Sequence, residues 1–338
     1  MGRNVDLLIP GLAWQTGLAE TVHCERRPKS LEWLIGRAKR RQVDNPDFNG
    51  MLFEAFGVSA QTGRDLPSGA VISVAHDRNP DDAVCALVTP AHLLTDRDRL
   101  LLLRHPPGSL PKKHAQTLIG QLNDHFAADG ISLEFLAEQQ WLLRLQRLPD
   151  ITTSAIETVV GRHIEPYLPE GQEARLWRRF LNEAQMLLFH SEVNQQRGAE
   201  GQLSVNALWI SGVGSLPRVQ TALQSVFADY PLARGLAKLA HTPCDPVSRI
   251  PTADELPEGR SLVVMTDLLE AEIDVRPDTW LSGLDRVDAR LETLIREFCG
   301  RDDRIRLCTC DGSCYETRGR AGWLDRFRRN TPLTRLLG

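Results

Sequence analysis

The sequence has no run of apolar residues long enough to cross a bilayer, which excludes a membrane-spanning helix. It also has no block of one charge sign. Its 40 basic and 44 acidic residues are interspersed, for a net charge of −4, so no global field draws it to nucleic acid or a membrane surface. The basic runs at 37–41 and 326–329 are short, with Phe327 the one aromatic residue inside them, and read as solvated helix faces. Paired CxxC motifs are absent, and seven cysteines, an odd number, argue for a reducing compartment and against a disulfide framework. His92, His105, His114 and His125 lie at no metal-like spacing. The N-terminus lacks the basic start and unbroken apolar core of a signal peptide. The expectation is a cytoplasmic protein that neither enters a membrane nor binds nucleic acid.

What is present is material for one large core or two moderate ones: 338 residues, 42% of them hydrophobic. Val5 to Ile9 reads as a buried strand stopped by Pro10-Gly11, Ser30 as the cap of a helix, and 46–56 as a second helix. Ala70 to Val74, Ala83 to Val88 and Leu100 to Leu103 are strand-like, and a helix over 111–128 precedes strands at 131–135 and 141–145. Strand, strand, helix, strand, strand marks an α+β subdomain over 81–150, between a first part of an α/β core at 1–80 and its remainder at 151–338.

The densest polar signal inside an apolar frame runs from Asn182 to Pro217. Trp177, Phe180, Leu181, Ala184, Leu187 and Leu188 recur at helical spacing and predict one helix over 170–196. Glu183, His190 and Asn194, seven and eleven positions apart, then share a face. That ladder serves either a substrate or partner contact, with Arg197 beside it, or plain hydrogen bonding between elements. A short strand over 204–210, carrying Asn206 and Trp209, runs into Ser211-Gly212-Val213-Gly214-Ser215. Gly212 and Gly214 form either a tight turn or a cradle of amides for a phosphate; Pro217 stands where a dinucleotide fingerprint needs a third glycine.

Two further clusters carry possible metal chemistry. Leu262 to Met265 reads as a strand running into Asp267, Glu270, Glu272 and Asp274, which make an acidic loop or an oxygen-rich site for Mg²⁺ or Mn²⁺. A helix with Leu281, Leu284, Val287, Leu291 and Ile295 follows. Cys308, Cys310 and Cys314 flank the hairpin signal Asp311-Gly312; they make a plain β-hairpin or part of a zinc site, with Cys299 or Cys244 as fourth ligand. Trp323 to Leu337 reads as a basic tail helix.

VTPAHLLTDRDRLLLL at 88–103, LPEGQEARLWRRFLNEAQMLLFHSEVNQQR at 168–197 and VNALWISGVGSLP at 205–217 resemble a bacterial family of RpfE-type regulatory proteins, labelled phosphoglycerate-mutase-like. NALWISGVG at 206–214 is distantly similar to the archaeal-type, cofactor-independent phosphoglycerate mutases of the alkaline phosphatase superfamily. That similarity implies an α/β fold, a doubly wound core with a small inserted α+β subdomain, a serine nucleophile and two metals held by Asp and His. VMTD at 264–267 and the helix with Asp285 and Asp288 resemble the late metal-binding segment. The chain departs from the pattern at Ile9-Pro10-Gly11, where the family has Asp, near Asp267, where its His is absent, and at Thr309-Cys310-Asp311-Gly312, where it has Asp-His. The resemblance therefore implies a regulatory or binding pseudoenzyme that needs no cofactor and contacts a small molecule or protein through Glu183, His190, Asn194, Arg197, Asn206 and Trp209. The alternative is a phosphotransfer enzyme or phosphatase with remodelled metal ligands.

Overall fold

Val5, Leu7 and Leu8 are buried whichever way their side chains alternate, as expected of a strand covered on both faces in a parallel sheet. The computed structural model describes residues 2–13, 27–43, 47–251, 255–273, 276–296, 303–318 and 333. In chain order the elements are β1 (Arg3–Leu8), α1 (Lys29–Arg37), β2 (Lys39–Gln42) and α2 (Phe48–Ala55), then α3 (Ser68–Ala75), β3 (Val84–Asp96), β4 (Arg99–Arg104) and α4 (Lys112–Phe126). Next come β5 (Ser132–Ala137), β6 (Gln140–Leu145), α5 (Ile156–Val159), α6 (Ala174–His190), α7 (Glu192–Ala199) and β7 (Ala207–Gly214). The chain continues with β8 (Leu223–Ala228), α8 (Pro231–Leu239), β9 (Cys244–Asp245), β10 (Gly259–Val264), α9 (Leu269–Ile273), α10 (Pro277–Arg296), β11 (Arg304–Cys308) and β12 (Ser313–Arg318).

These elements form two compact units, one from 1–58 with 219–338 and one from 59–218. The first is a seven-stranded sheet in the order β2-β12-β11-β1-β10-β8-β9, parallel from β11 to β9 and closed at one edge by antiparallel β12 and β2. Its core joins that sheet to α1 and α10, whose Trp280, Leu284, Val287 and Leu291 recur every three or four residues and are all buried. The chain leaves this unit and returns to it at neighbouring points. The Gln220 amide donates to the Phe56 carbonyl at 2.9 Å, and Gly57, at φ +73°, has no room for a Cβ because the Gln220 carbonyl oxygen would lie 2.4 Å from it.

The second unit is an antiparallel sheet in the order β4-β3-β6-β5, with β7 also paired to β3. It extends well beyond the expected 81–150, because β7 joins the same sheet and α6 packs into the same core through Trp177, Phe180, Ala184 and Leu188.

Several expected elements differ. Ala70 to Val74 lie in helix α3, not a strand; a short apolar run does not show its own period, and Gly69 lets this helix rest on the backbone of Ala86. Lys39 to Arg41 form edge strand β2, not a helix face. Ser30 lies inside α1, whose N-terminus is capped from α10: Asp288 Oδ1 accepts from the amides of Ser30 and Leu31 at 2.8 and 2.9 Å. No helix among the described residues is long and apolar enough to cross a membrane. The expected tail helix lies outside the described residues except Leu333, which is buried in the first unit's core.

Candidate functional site

The single helix expected over 170–196 is broken at Ser191, whose backbone is extended (ψ 132°) and which ends α6 and begins α7. Asn194 explains the break. Its Nδ2 donates to the carbonyls of Leu188 and Val205 at 2.7 and 2.8 Å, and its Oδ1 accepts from the Val205 amide at 2.8 Å. The side chain thus adds a second donor to the Leu188 carbonyl, which also accepts from the Ser191 amide at 3.2 Å, and ties both helices to the chain entering β7. The face expected to join Glu183, His190 and Asn194 does not exist. Glu183 pairs with Arg179 at 2.7 Å, His190 is exposed with its ring against Phe189, and Asn194 is buried.

Arg197 is fully buried and donates to the carbonyls of Leu203 and Ser109 at 2.9 and 2.7 Å. Near it His105, also fully buried, has its pKa lowered to about 4, first by burial and then by the charges of Arg197 and His92. Asn206 forms a two-point amide pair with the backbone of Leu93, accepting from its amide at 2.6 Å and donating to its carbonyl at 3.0 Å. Trp209 is buried and donates from Nε1 to the Ser154 carbonyl at 2.8 Å. All three side chains bond to the protein's own backbone, while Arg197 Nη2 is buried without a hydrogen-bond partner.

The glycine stretch is no turn. Ser211 to Gly214 belong to β7, and the pairing with β3 shifts register between Cys85 and Leu87, so Gly212 takes its φ of +62° at a bulge. Its amide donates to Thr153 Oγ1 at 3.2 Å, and the Val213 amide to Asp65 Oδ2 at 3.1 Å. Asp65 also binds the amide of Thr153 at 2.9 Å and its hydroxyl. The amides that would hold a phosphate are therefore already taken. Neither Asp65 nor Thr153 stands in a motif that would have singled it out.

In sheets of this kind, sites form beyond the carboxyl ends of the parallel strands. After β1, Gly11 has φ +81°, and a Cβ there would meet the Leu268 carbonyl oxygen at 2.8 Å and Glu272 Oε2 at 3.2 Å. The Gly11 carbonyl accepts from Trp280 Nε1 at 2.8 Å. No side chain fits at this point. After β10, Asp267 is clamped by Arg286, at 2.9 Å, and by Arg290; Glu270 is exposed, and Asp274 lies outside the described residues.

After β11, Cys308 and Cys314 face each other in the hairpin and form a disulfide, with Cα atoms 4.1 Å apart. This corrects the reading of them as reduced or zinc-bound: antiparallel register, invisible in the spacing, makes them partners. Cys310 is left in the turn at φ +60°, and burial, then the charges of Asp311, Asp47 and Glu272, raise its pKa far above the usual thiol range. Burial and these charges disfavour the thiolate, the form in which a cysteine acts as a nucleophile. Asp311 closes the turn by accepting from Thr309 Oγ1 and the Ser313 amide. Cys244 is exposed, and Cys299 lies outside the described residues. Among the described residues no three His, Cys, Asp or Glu side chains gather as a metal-holding group, so they do not fit the two-metal centre that the resemblance implies.

No protein-family model matches the chain. Over 60 residues it is 33% identical to 2,3-bisphosphoglycerate-independent phosphoglycerate mutase of Methanosarcina barkeri, a stretch that covers 18% of this chain and 15% of that protein. The chain thus matches a small part of the length of this relative. In three dimensions it is similar to PH0037 protein from Pyrococcus horikoshii, with a TM-score of 0.52 and 10% identity over 94% of this chain and 87% of that one. Cofactor-independent phosphoglycerate mutase from Thermoplasma acidophilum aligns over 99% and 97% of the two chains, at 13% identity and a TM-score of 0.39. The fold is α/β and similar to that of PH0037 protein, and the sequence likeness to a phosphoglycerate mutase is confined to the 60-residue stretch.

Proposed function

We propose that this chain is a regulatory or binding protein of the RpfE type, a non-catalytic relative of the metal-dependent phosphoglycerate mutases that needs no cofactor and binds a small molecule or a protein partner. The observation that carries this reading is the state of Asp267. It stands just past the end of β10, where the resemblance expects a metal ligand, and both of its oxygens are engaged by the guanidiniums of Arg286 and Arg290. A carboxylate held by two cations has little negative charge left to offer a divalent metal. Gly11 and Cys310 support the same reading, since neither supplies an acid, a base or an activated nucleophile.

The test is conversion of 3-phosphoglycerate to 2-phosphoglycerate by the purified protein, with and without Mn²⁺, beside an Asp267→Ala variant. The expected result is no turnover in any arm. Mn²⁺-dependent turnover that disappears in Asp267→Ala would overturn the reading and restore phosphotransfer on remodelled ligands.

A further inference from the structure

Within the second unit a cavity of about 490 Å³ opens between the end of α4, the end of β6 and the first half of α6, a volume that suits a small-molecule ligand. Its floor is aromatic. The ring of Phe126 lies 4.6 Å from that of Phe180, and Phe180 lies 5.7 Å from Trp177. All three are buried, with Leu145 and Ile131 completing the apolar surface.

The rim decides which ligand. Arg147 is committed to Glu173 through both terminal nitrogens, at 2.5 and 3.1 Å, and Glu173 also accepts from the Asp150 amide. Arg179 is committed to Glu183 Oε1 at 2.7 Å. With each arginine matched by one glutamate, the charge of Asp129 remains over; it acts on Arg179 through its charge, without a hydrogen bond among the described residues. Glu183 Oε2 faces only the ring of His125, at 4.0 Å. Arg147 has both terminal nitrogens taken and Arg179 has spent its Nε, so the rim sets three carboxylates, Asp129, Glu173 and Glu183, against two guanidiniums, a balance that disfavours an incoming anion. A cation would find two carboxylates with open oxygens beside faces of aromatic rings, the combination that recognises organic ammonium groups.

We propose that this cavity binds a small organic ammonium compound, its hydrocarbon body on the Phe126–Phe180–Trp177 floor and its cationic nitrogen between Asp129 and Glu183. The site lies wholly in the second unit and does not depend on whether the first unit catalyses a reaction.

The probes are 2-phenylethylammonium, the neutral 2-phenylethanol and the anionic 3-phenylpropanoate, titrated into the full chain by calorimetry. The ammonium is expected to bind at least about tenfold more tightly than the other two. The variant Asp129→Asn/Glu183→Gln should lose about tenfold in that affinity while its melting temperature stays within about 2 °C of the parent. Trp177→Phe, which keeps an aromatic floor, should retain binding. Equal affinity for the three probes, undiminished affinity in the double variant, or no saturable ammonium binding below about 10 mM would each overturn the proposal.

Discussion

His105 shows how a single residue can make this protein sensitive to acid. It is fully buried, its folded-state pKa is about 4 against an ordinary 6.5, and Arg197 and His92 face it. As pH falls from 6.5 toward 4, the unfolded chain takes up a proton at this position and the folded one does not. Stability contributed by the neutral ring is therefore complete above pH 6.5 and declines through that window. The full effect is on the order of 3 kcal/mol. Denaturant midpoints measured from pH 7.5 to 4.5 should fall more steeply for the parent than for His105→Gln; parallel curves would show that the ring protonates freely in the folded state. Asp288, half-buried, is a second titrating group. Its pKa is raised by burial, although two amides of α1 pull it back down.

At the level of elements, the α6–α7 break depends on Asn194. Replacing it by Asp removes the donors to Leu188 and Val205 and places a charge among buried carbonyls, so Asn194→Asp is expected to cost about 2–4 kcal/mol. The check is chemical denaturation without ligand; a loss below about 0.5 kcal/mol would contradict this structural role. Much at this scale was legible in the sequence. The long periodic helices α4 and α10 and the hairpin at Asp311-Gly312 lie where their patterns place them, and the strand expected over Val5 to Ile9 runs from Arg3 to Leu8, because each buries residues whose pattern is visible in the chain. The apolar run at Ala70 to Val74 was misread because burial on both sides hides the period. The break at Ser191 is hidden because apolar spacing does not show that Asn194 bonds to Leu188, six residues back, and Val205, eleven residues ahead. The candidate site was less legible still. Asn194, Arg197, Asn206 and Trp209 stand out as polar or amphipathic residues in an apolar frame, yet what distinguishes a ligand contact from a backbone tie is the partner, and Leu93, Ser109 and Ser154 are remote in sequence. The aromatic floor of the cavity had a visible pattern, since Trp177 and Phe180 belong to the apolar stripe of α6, but the pattern alone does not separate a cavity wall from a filled core.

For the molecule as a whole, the bond between Gln220 and Phe56 means that the ends of the first unit's interrupted chain already meet. The 59–218 segment is therefore inserted at a port in the first unit's chain, and the first unit's sheet is complete without it, since all seven strands come from the unit's own two segments. Joining Val58 to Val219 through a few glycine and serine residues closes a short loop at small entropic cost. The excised protein is expected to unfold in one cooperative transition, and a non-cooperative melt would show that the first unit draws its stability from the second. Evolution can use the same port. A lineage could exchange the ligand-binding part of this protein for another without redesigning the scaffold, so the two halves of the molecule are free to change their chemistry at different rates.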